Sequence, residues 1–165
     1  MAQDHSFDLV SKVNLQEVRN AIQQAQKEIA TRFDFKGSSA SVAFEEPAGP
    51  LKVTADHQAQ LNSVIELVET RLAKRGVSLK AFAWNASEQL PSGSMKRDAI
   101  LRQGLSGETA KDIVKTIKAL GLKVQPSIQG ETVRVAARQI DELQAVMQTL
   151  KGRDFGIPLQ MENYR

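Results

Sequence analysis

The chain has 165 residues, 41% of them hydrophobic and 25% charged, with a net charge of +3 and no cysteine. This is the composition of a soluble globular protein, either one medium domain or two small ones. It excludes disulfides and thiolate chemistry, and no apolar run approaches the roughly 18 residues that a membrane span needs.

The opening MAQDHSFDLV has neither a basic stretch nor an apolar stretch behind it, so no secretory signal is expected and the expected location is the cytoplasm. SFDLVSKV (6–13) alternates Phe7, Leu9, Ser11 and Val13 on one face, which predicts a strand. Asn14 then starts NLQE, a helix N-cap with Glu17 three positions on. Leu15, Val18, Ile22, Ala25, Ile29 and Phe33 follow at spacings of 3, 4, 3, 4 and 4, one apolar stripe of an amphipathic helix. That stripe claims Phe33 for the core, and Gly37 is expected to close the helix. Phe35, in TRFDFKG (31–37), falls outside the stripe. It either packs as a helix-end contact or stands as the exposed aromatic of a nucleotide site, with Arg32 and Lys36 beside it.

SSASVAFEE (38–46) predicts a strand with Ala40, Val42 and Phe44 on one face, PAGP (47–50) a turn, and LKVTAD (51–56) a returning strand. Asp56 is the expected cap of a second helix, striped by Leu61, Val64, Ile65, Val68 and Leu72 and stopped by Gly76. VSLKAFAWN (77–85) reads as a fourth strand, and ASEQLPSGS (86–94) as a linker or long loop. The pattern then restarts. MKRDAILRQ (95–103) reads as a strand, Ser106 caps a helix through Leu120, LKVQPSIQ and ETVRVAA flank Gly130 as a hairpin, and IDELQAVMQTL is a fourth helix. GIPLQMENY is the final strand.

Both halves therefore run strand, helix, strand, strand, helix, strand, a repeat of element order. This predicts an α+β protein of two tandem ferredoxin-like βαββαβ domains, residues 1–90 and 91–165, each an antiparallel sheet with helices on one face. Two domains of roughly 80 residues are each marginal alone. Charge divides unevenly between the halves. Residues 1–94 hold 10 Lys/Arg against 11 Asp/Glu, and residues 95–165 hold 12 against 8. A basic second half suits either an ordinary surface bias or an anionic partner.

No enzyme constellation is visible. His5 and His57 lack metal-ligand spacing, the carboxylates are scattered, and neither GxxxxGK[ST] nor GxGxxG occurs. No catalytic residue, metal site or cofactor is expected. The same element order builds RNA-recognition domains, which stack bases on aromatics of two central strands. Here Phe7 is the one aromatic on the first and third strands of the two halves, and its alternation with Leu9 marks it as core. Phe82 and Trp84 share a face of the fourth strand, to be buried or to stack. Lys111, Lys115 and Lys118 line one helix face, a pattern that a solvated surface explains. Lys96, Arg97 and Arg102 on the fifth strand, with Arg134 on the seventh, are neighbours if strands pair within each half. They suit either salt bridges or bidentate phosphate contacts.

The stretches SFDLVSKVNLQEVRNAI, RFDFKG, KRG, DIVKTIKALGLKVQPSIQG, VRV and ELQAVMQTL resemble the YajQ family of bacterial proteins, across nearly the whole chain. AARQIDELQ (136–144) departs from a more basic Gly-Lys stretch common in that family. The resemblance implies tandem ferredoxin-like domains whose first strands, 6–13 and 95–103, are exchanged between domains, which would separate Arg97 and Arg102 from Arg134. It implies a non-enzymatic nucleotide-binding protein, with cyclic di-GMP as ligand and a transcription regulator as partner. The alternative it carries is an RNA-binding or ribosome-associated accessory protein. The nucleotide-binding candidates are Arg32, Phe35, Lys36, Arg97, Arg102, Lys123 and Arg134.

Overall fold

The structure, a computed structural model, describes residues 4–165. The elements in chain order are β1 (His5–Val10), α1 (Leu15–Thr31), β2 (Ser41–Phe44), β3 (Leu51–Ala55), α2 (Gln58–Lys74), a 3-10 turn (Leu79–Ala81), β4 (Phe82–Trp84), β5 (Glu88–Gln89), β6 (Met95–Leu101), α3 (Gly107–Ala119), β7 (Val124–Gln129), β8 (Thr132–Ala137), α4 (Ile140–Lys151) and β9 (Gln160–Glu162). They form two compact units. One is Val13–Arg102, and the other joins the described residues up to Lys12 to Gln103–Arg165. The repeat of element order suggests a division after residue 90. The packing divides the chain where the strand partners change.

In the Val13–Arg102 unit the sheet order is β2-β3-β6-β4, with β5 pairing β6. All pairs are antiparallel, and the register sets Val42 opposite Val53 and Val53 opposite Arg97. One face of this sheet packs on α1 and α2. Its core holds Val18, Ile22 and Ile29 of α1, Leu61, Val64, Val68 and Leu72 of α2, and Leu51 and Val53 of β3. Each such side chain contributes about 1.5–3 kcal/mol when fully buried. In the other unit the order is β7-β8-β1-β9. Phe7 lies opposite Val135 and Leu9 opposite Val133, and these four pack under α3 and α4 with Ile113, Ile117, Val146 and Leu150. Each unit is thus ferredoxin-like, an antiparallel sheet with two helices on one face.

Pairing of strands within each half does not hold. β1 pairs with β8 and β9, and β6 pairs with β3 and β4. Arg97 and Arg102 therefore belong to one sheet's neighbourhood and Arg134 to the other's. Pattern matching on single strands cannot detect this, because the alternation of one strand does not say which strand lies beside it.

Four local expectations also change. α1 ends at Thr31, because Arg32 takes an extended conformation (φ −73, ψ 129). The helical stripe stops with it, so Phe33 is not core: it is 95% exposed, whereas Phe35 is 2% exposed. The second helix is capped by His57, whose ring accepts from the Gln60 N–H, while the Asp56 carboxylate accepts from the N–H and hydroxyl of Ser39. The fourth strand is only Phe82–Trp84, preceded by the 3-10 turn. The polar stretch 86–94 is not a linker. It holds β5 and turns back onto β6, with Leu90 N–H donating to the Ser94 carbonyl.

Candidate functional site

The chain leaves α1 through a tight turn. The Arg32 carbonyl accepts from both the Phe35 and Lys36 N–H groups, at 3.1 and 3.0 Å. Ser38 closes the turn by donating its hydroxyl to the Phe35 carbonyl (2.5 Å) and accepting from Ala40 N–H (3.2 Å). Gly37, at φ +79, supplies the left-handed residue that this reversal requires. The turn is also tied to α2, since the Gln60 amide donates to the Asp34 carbonyl at 3.3 Å. This geometry drives the Phe35 ring into the core and leaves Phe33 pointing away from it.

Between α1, this turn and β2 lies an open cleft of about 360 Å³. Ile29, Ala30, Phe35 and Val42 give it an apolar wall, and Gln26 and Lys36 stand on it as polar groups. A cleft of this size is at the lower end of the range that holds small ligands. Arg32 lies over the Phe35 ring, its guanidinium carbon 4.7 Å from the centroid. Its fork is already filled by Asp34, through Nε to Oδ1 at 2.9 Å and a second N–H to Oδ2 at 3.0 Å. Lys36 is exposed and has no ion pair among the described residues. An anion approaching the cleft would thus meet the Lys36 ammonium first, and would compete with Asp34 for Arg32.

The remaining basic candidates lie on other elements. Arg97 faces the helix side of its sheet, where its Nε donates to the Asn85 carbonyl at 2.6 Å and its guanidinium lies 5.4 Å from the centre of the Trp84 ring. Arg102, just past β6, donates from its side chain to the Lys80 carbonyl. Arg134 on β8 forks onto Asp8 of β1, at 2.8 and 3.3 Å, and Asn163 adds a bond to the same carboxylate at 2.9 Å. The Arg134 hydrogen bond, with Asn163 and the guanidinium charge, holds the Asp8 carboxyl below its ordinary range against the opposing effect of burial. The Asp8 carboxylate raises Arg134 in turn. Both Arg97 and Arg134 therefore serve their own sheets. Lys123 borders a second cleft, of about 650 Å³, in the unit built on β1 and β7–β9, with Arg138 and the acids Asp4 and Glu142 beside it.

The structure thus brings Arg32, Phe35 and Lys36 together in one turn, while Arg97 lies on β6 and Arg102 just past it in the same unit, and Lys123 and Arg134 belong to the other unit. It adds Gln26 to the cleft lining, a residue the sequence did not single out, and turns Phe33, expected in the core, outward from the same turn. Among the described residues, no group of three or more His, Cys, Asp and Glu could hold a metal ion. Nor, among the described residues, is any helix long and apolar enough to cross a membrane.

A family model described as "Nucleotide-binding protein YajQ-like" matches residues 5–165. The chain belongs to this family. A nucleotide-binding protein of Carboxydothermus hydrogenoformans is 44% identical over 165 residues, covering all of both chains. One from Geotalea daltonii is 47% identical over 161 residues, covering 97% of this chain and 98% of its own. Another, from Chloroherpeton thalassium, is 39% identical over the full length of both. As a member of the YajQ-like family the chain spans its relatives from end to end, so both units belong to the shared fold and neither is an appendage.

Proposed function

We propose that this protein binds a nucleotide in the cleft between α1, the Arg32–Ser38 turn and β2, without catalysing a reaction. The observation that carries the reading is the turn itself: a hydrogen-bonded segment that sets Lys36, unpaired among the described residues, on an apolar cleft and leaves Phe33 exposed in the same turn. An exposed Phe in a structured turn leaves its ring face free to stack on a base, which is worth about 1–3 kcal/mol per base. Lys36 supplies the charge for a phosphate, and Phe35 supplies the cleft floor. The family's description as nucleotide-binding supports the ligand class. Within that class the ligand is cyclic di-GMP, as the family resemblance implies, with the bound form recognised by a transcription regulator in the cytoplasm.

Calorimetry and thermal shift with cyclic di-GMP, cyclic di-AMP, GMP and AMP test this. Saturable binding that prefers cyclic di-GMP, and that weakens in Lys36→Ala and Phe33→Ala at unchanged melting temperature, is the expected result. No heat and no shift with any nucleotide at millimolar concentration would overturn it. Binding of an RNA instead, with affinity falling steeply as salt rises through counterion release, would also overturn it.

A further inference from the structure

β2 is the edge strand of its sheet, and the phase of its hydrogen bonds can be read from the register. The Glu45 N–H donates to the Pro50 carbonyl at 3.1 Å, so Glu45 and Pro50 form a hydrogen-bonded pair. In an antiparallel ladder such pairs alternate with non-bonded ones. Counting back along β2, Phe44 opposite Leu51 is non-bonded, Ala43 opposite Lys52 bonded, and Val42 opposite Val53 non-bonded. The Val42 N–H and C=O therefore point off the edge, away from β3 and toward α1. One observation agrees independently: the Gln26 side-chain nitrogen donates to the Val42 carbonyl at 2.8 Å. That bond also fixes the amide's orientation, with Nε2 toward Val42 and Oε1 left as a free acceptor. Both Gln26 and Val42 line the cleft.

The cleft wall thus offers one main-chain donor, Val42 N–H, next to one side-chain acceptor, Gln26 Oε1. A base edge with an acceptor beside a donor completes this pair, and guanine presents O6 beside N1–H. We infer that Gln26 and the outward edge of Val42 read the base, with Val42 N–H donating to O6 and Gln26 Oε1 accepting from N1–H. This rests on the nucleotide reading above and deepens it, naming the groups that hold the base edge as distinct from Lys36, which handles charge. A longer peptide strand is a poor occupant of the same edge, because α1 lies along it and Gln26 already caps the Val42 carbonyl.

The test compares GMP with N1-methyl-GMP, which lacks the N1–H, by calorimetry on the wild-type chain and on Gln26→Ala. Gln26 is an exposed helix position and Ala is a strong helix former, so the variant keeps the fold. The wild type is expected to bind GMP about fivefold more tightly than N1-methyl-GMP, the worth of one ordinary hydrogen bond. In Gln26→Ala the GMP affinity falls by about the same factor and the preference between the two ligands shrinks toward one. An equal preference in both proteins, or none in the wild type, overturns the role of Gln26 and leaves nucleotide binding standing. No binding of GMP to either protein overturns the nucleotide reading and this inference with it.

Discussion

Phe33 and Phe35 are two residues apart and should respond to truncation in opposite ways. Phe35 is 2% exposed and packs in the core that α1, α2, β2 and β3 share. Phe→Ala in a core costs about 3–5 kcal/mol. The lower end applies here, because one side of the ring borders an open cleft that water can refill, so about 3 kcal/mol is expected. The stacked Arg32 guanidinium also loses its platform, a smaller effect at an exposed site. For a chain of this size, 3 kcal/mol lowers the melting temperature by about 6–12 °C. Phe33, at 95% exposure, has almost no packing to lose, and Phe33→Ala should stay within about 0.5 kcal/mol of the wild type. Thermal unfolding followed by circular dichroism reads both variants. If Phe33→Ala melts lower than Phe35→Ala, the course of the chain after Thr31 is wrong and the cleft with it.

Other positions give sharper local checks. Asn14→Ala removes an acceptor from the Gln16 and Glu17 N–H groups and should cost about 1 kcal/mol, read by urea denaturation. Gly37→Ala meets no atom within 4 Å, so its cost is conformational alone, about 1–2 kcal/mol for a left-handed residue. A neutral result in the same denaturation assay would refute the turn geometry. The Asp8 carboxyl, depressed first by its bond from Arg134, stabilises the fold above the unfolded carboxyl pKa of about 3.9. That contribution is lost as pH falls through the lower folded value. Arg134→Met leaves Asp8 without its guanidinium, so the variant's melting deficit should be largest near pH 7 and should narrow on acidification to about pH 3.5. A deficit independent of pH would show that the pair carries no linkage.

Much of the fold was legible because hydrophobic spacing is a local signal. The stripes of α1 through Ile29 and of α2 through Leu72, the Gly130 hairpin and the Asn14 cap follow from residue type and period alone. Phe33 was misread because a 3.6-residue period has meaning only while the backbone stays helical, and Arg32 ends that before Phe33; Phe35, left open by the sequence, is the one that packs. The Ser- and Pro-rich stretch before β6 hid β5 because its composition is that of a loop and its pairing is not local. The grouping of Arg97 with Arg134 failed for the same reason: which strands lie side by side is a property of the whole sheet. Gln26 could not be singled out from sequence at all. Its significance depends on α1 lying along the edge of β2 with the Val42 carbonyl turned outward.

Where the nucleotide sits decides between the clefts. Titrating cyclic di-GMP into the isotope-labelled protein, and following backbone amides by NMR, tests it directly. Saturable shifts concentrated at Gln26, Phe33–Ser38 and Val42, at the same ligand concentrations that calorimetry reports, are expected. Shifts confined to the neighbourhood of Lys123 and Arg138, with the Arg32–Ser38 turn unmoved, would contradict it.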